Sequence, residues 1–232
     1  MTDAALIPDA AVDLIVTEED SSEAYYTRHY THFDWPEGAS GPTIGIGYDT
    51  GYVTPAEAHA DWSGIVDDAT IAAITRACGL RGGSAQVFVQ QHAGSVTITW
   101  AQAMQEFRQR EIPKWMARCR AALPNFDKLP PLCQGAILSL SYNRGTGGYS
   151  DPSARDAEMR AIRAYMTTLQ FDKIPAEIRA MRRLWPVGGD LWRRRGHEAD
   201  LFQAGLTPAP AAAAAPLAAL PAAVPVTPQP KV

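Results

Sequence analysis

The chain has few cysteines, no long apolar run and no strong excess of charge, and each absence excludes a class of protein. Its 232 residues include three cysteines without a CxxC pair, which argues against a disulfide framework or a cysteine metal site. We predict that Cys78, Cys119 and Cys133 are free thiols, buried as small apolar residues. No run approaches the roughly 18 apolar residues of a membrane span, which predicts no stable membrane insertion.

The start of the sequence, Met1-Thr2-Asp3, is acidic where a secretory signal is basic and then apolar. This predicts a chain without a signal peptide that is made in the cytoplasm.

The formal net charge of −4 hides an asymmetry along the chain. Residues 1–100 carry 3 basic and 14 acidic side chains, whereas residues 101–206 carry 17 basic and 11 acidic ones. An acidic part folded beside a basic part favours a polar cleft and an anionic polymer as partner. Clustering of charges on solvated faces is the alternative. The small net charge and the absence of RRM, KH or zinc patterns argue against nucleic-acid binding.

The last 26 residues differ in composition from the rest. Pro and Ala supply 17 of residues 207–232, and prolines interrupt any helix that the alanines could start. We predict a single folded domain over residues 1–206 and a disordered tail over 207–232.

Helix signals dominate residues 1–206. Thr54-Pro55-Ala56-Glu57 combines an N-cap, a first-turn proline and a capping-box Glu, and Thr99 with Gln102 repeats the arrangement. Besides a helix at the N-terminus, helices are predicted from Thr54, Asp68 to Cys78, from Thr99, from Pro130 to about Asn143, Ser153 to about Thr167, Pro175 to about Trp185, and Asp190 to about Gln203.

The segment His32–Tyr52 is instead rich in glycine and in β-forming residues, which predicts a loop and a short hairpin. The predicted fold class is therefore α+β and predominantly helical. We expect a small N-terminal lobe that contains the hairpin and a larger helical C-terminal lobe.

The first candidate site is the apolar run from Leu14 that ends in Glu18-Glu19-Asp20. Consecutive residues on a helix point in different directions, so at most two of these carboxylates can face one cleft. Burial at a cleft wall favours the protonated form of a carboxyl group, which can then act as a general acid. Glu19 is preferred over Glu18 and Glu23, and a solvated helix end is the alternative.

The second candidate site is the segment Gly41–Asp49. Alternation of Ile and Gly on a strand buries one narrow face and lets a ligand approach the backbone on the other. Thr43 and Asp49 flank that bare stretch. The glycine spacing does not match a phosphate-binding loop, and no strand-to-helix unit follows it. A purely structural glycine hairpin is the alternative.

Four short motifs follow one another between about residues 10 and 204. They are Leu14-Ile15 with Glu19 and Tyr26, then Thr43-Ile44-Gly45-Ile46-Gly47, then Gln134 with Ile137-Leu138-Ser139 and Asn143-Arg144-Gly145, and finally Trp185 and Gly189 with Leu191-Trp192-Arg193-Arg194-Arg195, Glu198 and Leu201. In this order they resemble the phage-type lysozymes, the muramidase family of phage endolysins, in which the first motif carries a catalytic Glu and the second a catalytic Thr.

The sequence departs from that family between Glu19 and Thr43, which lie 24 residues apart instead of about fifteen. Asp34 and Glu37 occupy the interval in which the family has its second carboxylate, but they lie on a loop with Gly and Pro. Asp49 follows Thr43 by six residues, and the pesticin-like branch of muramidases is similar in using an Asp just after the motif. We favour Asp49 as the second carboxylate and keep Asp34 as the alternative.

The resemblance implies a lysozyme-like fold for the two lobes. It also implies a muramidase that cleaves the β-1,4 bond between N-acetylmuramic acid and N-acetylglucosamine in peptidoglycan glycan strands. It implies Glu19 as general acid, Asp49 as base or stabilising anion, and Thr43 as the residue that positions water. No cofactor and no metal are expected, and the protein is expected to be a monomer. As a phage endolysin it would stay in the host cytoplasm until released to the periplasm and cell wall. The alternatives are a non-catalytic peptidoglycan-binding or virion structural protein, and a delivered antibacterial muramidase toxin.

Three further patterns have two interpretations each. His29, His32 and Asp34 could bind zinc, but a polar loop is the better interpretation. Trp35 could stack on a sugar ring or belong to the core. The run Arg193-Arg194-Arg195 could contact an anionic polymer or pair with acids such as Glu198 and Asp200.

Overall fold

The structure is a computed structural model that describes residues 7–20 and 22–207. Apart from Thr207, the predicted tail lies outside the described residues. None of the helices in this described part of the chain has the length and hydrophobicity that a membrane span requires.

Eleven α-helices are assigned among the described residues. They are α1 (Asp9–Asp20), α2 (Glu23–His29), α3 (Pro55–Trp62), α4 (Asp68–Ala77), α5 (Gly83–His92), α6 (Trp100–Glu106), α7 (Ile112–Ala122), α8 (Pro131–Arg144), α9 (Ala157–Thr168), α10 (Ile174–Ala180) and α11 (Asp190–Leu206). A π-helical turn, Phe107–Glu111, joins α6 directly to α7. Short 3-10 turns connect several of the other helices.

The fold has a single small antiparallel sheet among the described residues, formed by β1 (Thr43–Ile44) and β2 (Tyr48–Asp49). The predicted α+β class with mostly helical content is therefore confirmed. The side chains of Ile44 and Ile46 are buried, as the alternation of Ile and Gly predicts.

The predicted caps are present. Thr54 with Glu57 and Thr99 with Gln102 both form capping boxes, in which each side chain bonds the other residue's backbone N–H. The three cysteines are free, as predicted. Cys119 and Cys133 are buried, whereas Cys78, which was also expected to be buried, is only partly so because it lies at the C-terminal end of α4.

Several helices differ from the prediction. The long helix predicted from Thr99 is interrupted by the π-helical turn, and the helix predicted from Pro175 to about Trp185 ends at Ala180 and continues as the 3-10 turn Met181–Leu184.

The N-terminal helix is in fact two helices, because Ser22 begins α2 by accepting a hydrogen bond from the backbone N–H of Tyr25. Helix α5 was not predicted at all. It begins at Gly82 without a side-chain cap, and Val87 and Val89 are β-branched residues that favour strands.

Helix α8 lies at the centre of the core. Its residues from Cys133 to Ser141 are nearly all buried, a pattern typical of a helix surrounded by others. Helices α1, α7 and α11 pack against it. Helix α1 approaches α8 closely at Gly135, where a Cβ atom would lie 2.2 Å from the Cβ of Ala11. The absence of a side chain at Gly135 therefore sets how closely α1, which ends at the candidate site, packs on the core.

We expect Gly135→Ala to destabilise the protein by about 1–3 kcal/mol, because the added methyl group must push α1 away from α8. Equilibrium urea denaturation measures the change. Gly83→Ala is the matched control, since a Cβ there meets no atom within 4 Å, and it should leave stability unchanged or raised. Equal stability of the two variants would contradict the close packing of α1 on α8.

Candidate functional site

A cleft of about 870 Å³ lies between the β-hairpin and the helices around α8, and it contains all the main sequence candidates. Glu19, Asp34, Thr43 and Asp49 each line it. This volume is within the range typical of ligand-binding clefts. Residues separated by up to 30 positions in sequence are thus brought to one surface by the fold.

Glu19 reaches the cleft from the last turn of α1. Its Oε1 accepts a hydrogen bond from Nη1 of Arg194 on α11 at 2.6 Å, and its side chain is 22% exposed. Glu18, the neighbouring candidate, instead contacts Nδ1 of His197 at 2.7 Å and is not among the residues that line the cleft. The structure therefore orients Glu19, and not Glu18, toward the site.

Arg194 belongs to a buried ion cluster. Its Nε lies 3.2 Å from Oε1 of Glu198, which also accepts hydrogen bonds from Arg195 and from the Ser139 hydroxyl. Burial alone disfavours the charge of Arg194, but the carboxylates of Glu19 and Glu198 outweigh it and raise the pKa of the guanidinium. Arg194 is thus a permanently charged link between the core and Glu19.

Asp34, Thr43 and Asp49 form a row across the hairpin. Thr43 pairs with Asp49 in the two-stranded sheet and with Asp34 in an antiparallel bridge on its other side. The backbones of Asp34 and Thr43 exchange hydrogen bonds of 2.9 and 2.8 Å. Residues directly opposite each other in antiparallel strands project to the same face, so the three side chains project to one face, beside the cleft.

Gly41 forms hydrogen bonds with two residues of this row, Thr43 and Asp49. Its backbone N–H donates to Oδ1 of Asp49 at 2.9 Å, and its carbonyl accepts from Oγ1 of Thr43 at 3.2 Å. A second N–H, from Gly51, also donates to Oδ1 of Asp49. Burial raises the pKa of Asp49, and the N–H groups of Gly51 and Gly41 and the charge of Arg81 oppose this without cancelling it.

The approach of Glu19 to the hairpin depends on Gly47. This residue has a φ of +65°, which favours glycine. A Cβ atom there would lie 3.3 Å from Oε2 of Glu19 and 3.2 Å from the hydroxyl of Tyr142. Since Oε1 is held by Arg194, Oε2 is the carboxyl oxygen that lies toward the hairpin.

Several aromatic side chains line the cleft. Tyr52 is 61% exposed, and Trp115 also lines the cleft and donates its indole N–H to Oε2 of Glu111. Trp35, the sequence candidate for sugar stacking, is not among the lining residues and donates its indole N–H to the carbonyl of Ser40. Trp115 was missed because its position on α7 is typical of an ordinary core residue.

A smaller pocket of about 400 Å³ adjoins the cleft through Asn143 and Arg144, which line both. Trp185 lies in this second pocket, and the guanidinium groups of Arg144 and Arg155 lie over its ring at 5.6 and 6.0 Å. Asp156 is paired with Arg144. Asp151 and Asp156 line the pocket together with the two arginines, so its charged groups are of both signs. Sequence reasoning missed this pocket, because Arg144 and Trp185 are 41 positions apart.

The structure also shows the contacts of the other two sequence patterns that had alternative interpretations, the His-Asp group and the arginine run. His29, His32 and Asp34 do not form a metal-ligand group among the described residues, and Nδ1 of His32 bonds the Val96 carbonyl at 2.6 Å. The zinc interpretation therefore has no support. In the arginine run, Arg194 and Arg195 pair with Glu198 as anticipated, whereas Asp200 pairs with Arg179.

Residues 14–118 are similar to a domain of unknown function (DUF8812). This match covers less than half of the chain and includes Glu19, Thr43 and Asp49. No curated protein matches the sequence.

Replacement of Arg194 by Met should destabilise the protein by about 3–5 kcal/mol, since it leaves Glu198 buried with one charged partner fewer. Urea denaturation measures the loss. Arg179→Met is the matched control, because the pair of Arg179 with Asp200 is largely exposed and should contribute at most ~1 kcal/mol. Similar losses in the two variants would contradict the central role of Arg194.

Proposed function

We propose that the protein is a peptidoglycan hydrolase of the muramidase type with a lysozyme-like arrangement of lobes about its cleft. In this proposal it cleaves the β-1,4 bond between N-acetylmuramic acid and N-acetylglucosamine and belongs with the phage-type lysozymes.

One observation carries the proposal: a carboxyl group at the end of α1 and the row of two carboxyl groups and a hydroxyl on the hairpin line the same cleft. Hydrolysis of a glycosidic bond needs a carboxylic acid that protonates the leaving oxygen and a second carboxylate that activates water or stabilises the oxocarbenium ion. The helix and the hairpin supply one of these each.

The proposed roles follow from the local contacts. Glu19 is the general acid, and it would transfer the proton from Oε2, since Oε1 is bound to Arg194. Asp49 is the base or stabilising anion, held by the N–H groups of Gly41 and Gly51. Thr43, which lies beside Asp49 in the row, positions the water. Asp34 is on the other side of Thr43 and is the alternative second carboxylate.

The surroundings of the cleft suit a glycan strand with charged substituents. The exposed ring of Tyr52 offers an apolar surface for a sugar ring, and stacking of this kind is common in ligand sites. Trp115 also lines the cleft, although its ring already contacts Arg118 and Tyr142. The adjoining pocket presents Arg144 and Arg155 beside Asp151 and Asp156, and charged groups of both signs suit the peptide attached to muramic acid, which carries carboxylates and amines. A phage endolysin is the biological setting that we propose, with release from the host cytoplasm to the cell wall.

We expect Glu19→Gln to lower the rate of glycan cleavage at least ~100-fold, because an amide cannot donate the proton. Clearing of bacterial cells whose outer membrane has been removed measures the rate. Glu18→Gln is the matched control: it changes the adjacent carboxylate, which contacts His197 outside the cleft, and should keep nearly full activity. Full activity of Glu19→Gln would exclude the proposed mechanism.

Mass spectrometry of the soluble products from purified sacculi identifies the bond that is cut. A muramidase leaves muramic acid at the reducing end. Anhydro-muramic acid would instead indicate a lytic transglycosylase, and glucosamine at the reducing end a glucosaminidase. Binding to sacculi without any released product would contradict an enzymatic function.

The raised pKa of Asp49 predicts the pH dependence of the reaction. Asp49 must be ionised to act, so activity should fall with decreasing pH at a midpoint above the ~3.9 of a free Asp. Arg81→Gln removes a charge that lowers this pKa and should move the midpoint to higher pH. Two results together would assign the role of the second carboxylate to Asp34 instead. They are an unchanged midpoint of the pH–activity profile in Arg81→Gln and full activity of Asp49→Asn.

A further inference from the structure

Three buried carboxyl groups meet behind the hairpin. They belong to Asp61 on α3, Glu106 at the end of α6 and Glu111 at the end of the π-helical turn, and their residues are 4%, 0% and 8% exposed. One carboxylate oxygen of each lies within 4.8 Å of the others. Such a cluster of like charges requires compensation, because each buried carboxylate has lost its hydration.

Part of the compensation comes from Lys114. Its ammonium group contacts Asp61 and lies 2.9 Å from Oε1 of Glu111. The hydroxyl of Tyr48 donates to Asp61, and the indole N–H of Trp115 donates to Glu111. Lys114 therefore contacts two of the three carboxyl groups, and the same two also accept hydrogen bonds from Tyr48 and Trp115.

Glu106 is the exception. Both of its carboxylate oxygens are buried and have no hydrogen-bond partner among the described residues. An unpartnered buried carboxylate costs several kcal/mol, so structures rarely keep one without a ligand or a proton. Burial raises the pKa of Glu106 well above its usual value; Glu111 and Asp61 raise it further, and Lys114 and Arg110 oppose them.

The backbone is shaped to bring Glu106 and Glu111 together. Residues five apart on an α-helix point about 140° away from each other. In a π-helical turn the backbone hydrogen bonds join residues five apart, so such residues lie on nearly the same side of the helix. The turn Phe107–Glu111 therefore places Glu111 close to Glu106. Such turns are rare and are frequently found at functional sites.

We propose that Asp61, Glu106 and Glu111 bind a divalent metal ion that prefers oxygen ligands, of the class of Ca²⁺, Mn²⁺ and Mg²⁺. An all-carboxylate set favours these ions over zinc and copper, which prefer nitrogen and sulfur. Glu111 and Lys114 also line the cleft, so an ion can enter from there. On binding, Glu106 releases any proton that it holds, and its two unpartnered oxygens become ligands.

This site is separate from the proposed catalytic row but connected to it. Tyr48 donates to Asp61 and is adjacent in β2 to Asp49. The ion would therefore stabilise the position of the hairpin. The inference does not rest on the proposed function, since metal binding and thermal stability are measured without a glycan substrate.

The test uses the full chain after treatment with EDTA. Titration with Ca²⁺, Mg²⁺ or Mn²⁺ is followed by calorimetry and thermal unfolding, and elemental analysis gives the stoichiometry. We expect about one ion per chain for at least one of the three metals. The melting temperature should rise by roughly 5–10 °C at a hundredfold excess over Kd.

Glu106→Gln should weaken binding at least ~10-fold while the variant stays folded, because it removes a ligand charge and also an unpaired buried charge. Asp172→Asn is the matched control, since it removes one exposed carboxylate on the turn Phe171–Lys173 and should bind like the parent. Asp61→Asn serves as a second variant that should also lose the ion.

Two results would overturn the proposal: no thermal shift with any of the three metals, or equal affinity in Glu106→Gln. In the first case Glu106 holds a proton instead. Its raised pKa then makes the folded state bind the proton more tightly than the unfolded state, so stability falls as pH rises above ~4.3, with or without metal.

Discussion

The ion pair between Arg194 and Glu19 is the contact on which the candidate site depends. Arg194 is 2% exposed and charged, and it lies where α1, α8 and α11 meet. One guanidinium group binds the buried Glu198, the backbone carbonyl of Ser139 and the cleft residue Glu19. A planar group with five fixed donors can serve these partners at once, which a lysine could not do. The position of Glu19 is thus coupled to the buried core around α8.

The opposite wall of the cleft is held in a similar way by two tyrosines. Tyr142 on α8 donates to the carbonyl of Ile46 at 2.6 Å, and Tyr48 in β2 donates to Asp61 at 2.8 Å. A two-stranded hairpin with strands of two residues is not stable alone in water. Its anchoring to α8 and α3, together with the burial of Ile44 and Ile46, explains how so small a sheet can present Thr43 and Asp49 in a defined geometry.

Two groups of carboxylates with different environments therefore share this region. Asp34 and Asp49 lie on the cleft side of the hairpin, where water and backbone N–H groups can solvate them. Asp61 and Glu106 lie behind it, where solvation must come from Lys114, a proton or a metal ion. The same residue type is suited to catalysis in the first environment and to ligand or proton binding in the second, because burial changes which charge state is stable.

Much of the fold was predictable from the sequence because its signals are local. Capping boxes at Thr54 and Thr99, glycine at the end of α8 and alternation of Ile and Gly on the hairpin act over a few residues each. Helix α5 lacks such a signal, since it begins at glycine without a side-chain cap, and it was missed. The π-helical turn was also missed, since the segment is compatible with a continuous α-helix.

The same distinction between local sequence signals and long-range contacts applies to the candidate site. The sequence by itself determined which residues could carry the chemistry, since Glu19 ends an apolar helix and Thr43 and Asp49 flank a glycine-rich strand. Only the tertiary structure decided which of three consecutive arginines reaches Glu19, that Asp34 pairs across from Thr43, and that Asp61 and Glu106 converge. The physical reason is that helix direction and strand alternation follow from neighbouring residues, whereas contacts between distant segments depend on how whole elements pack.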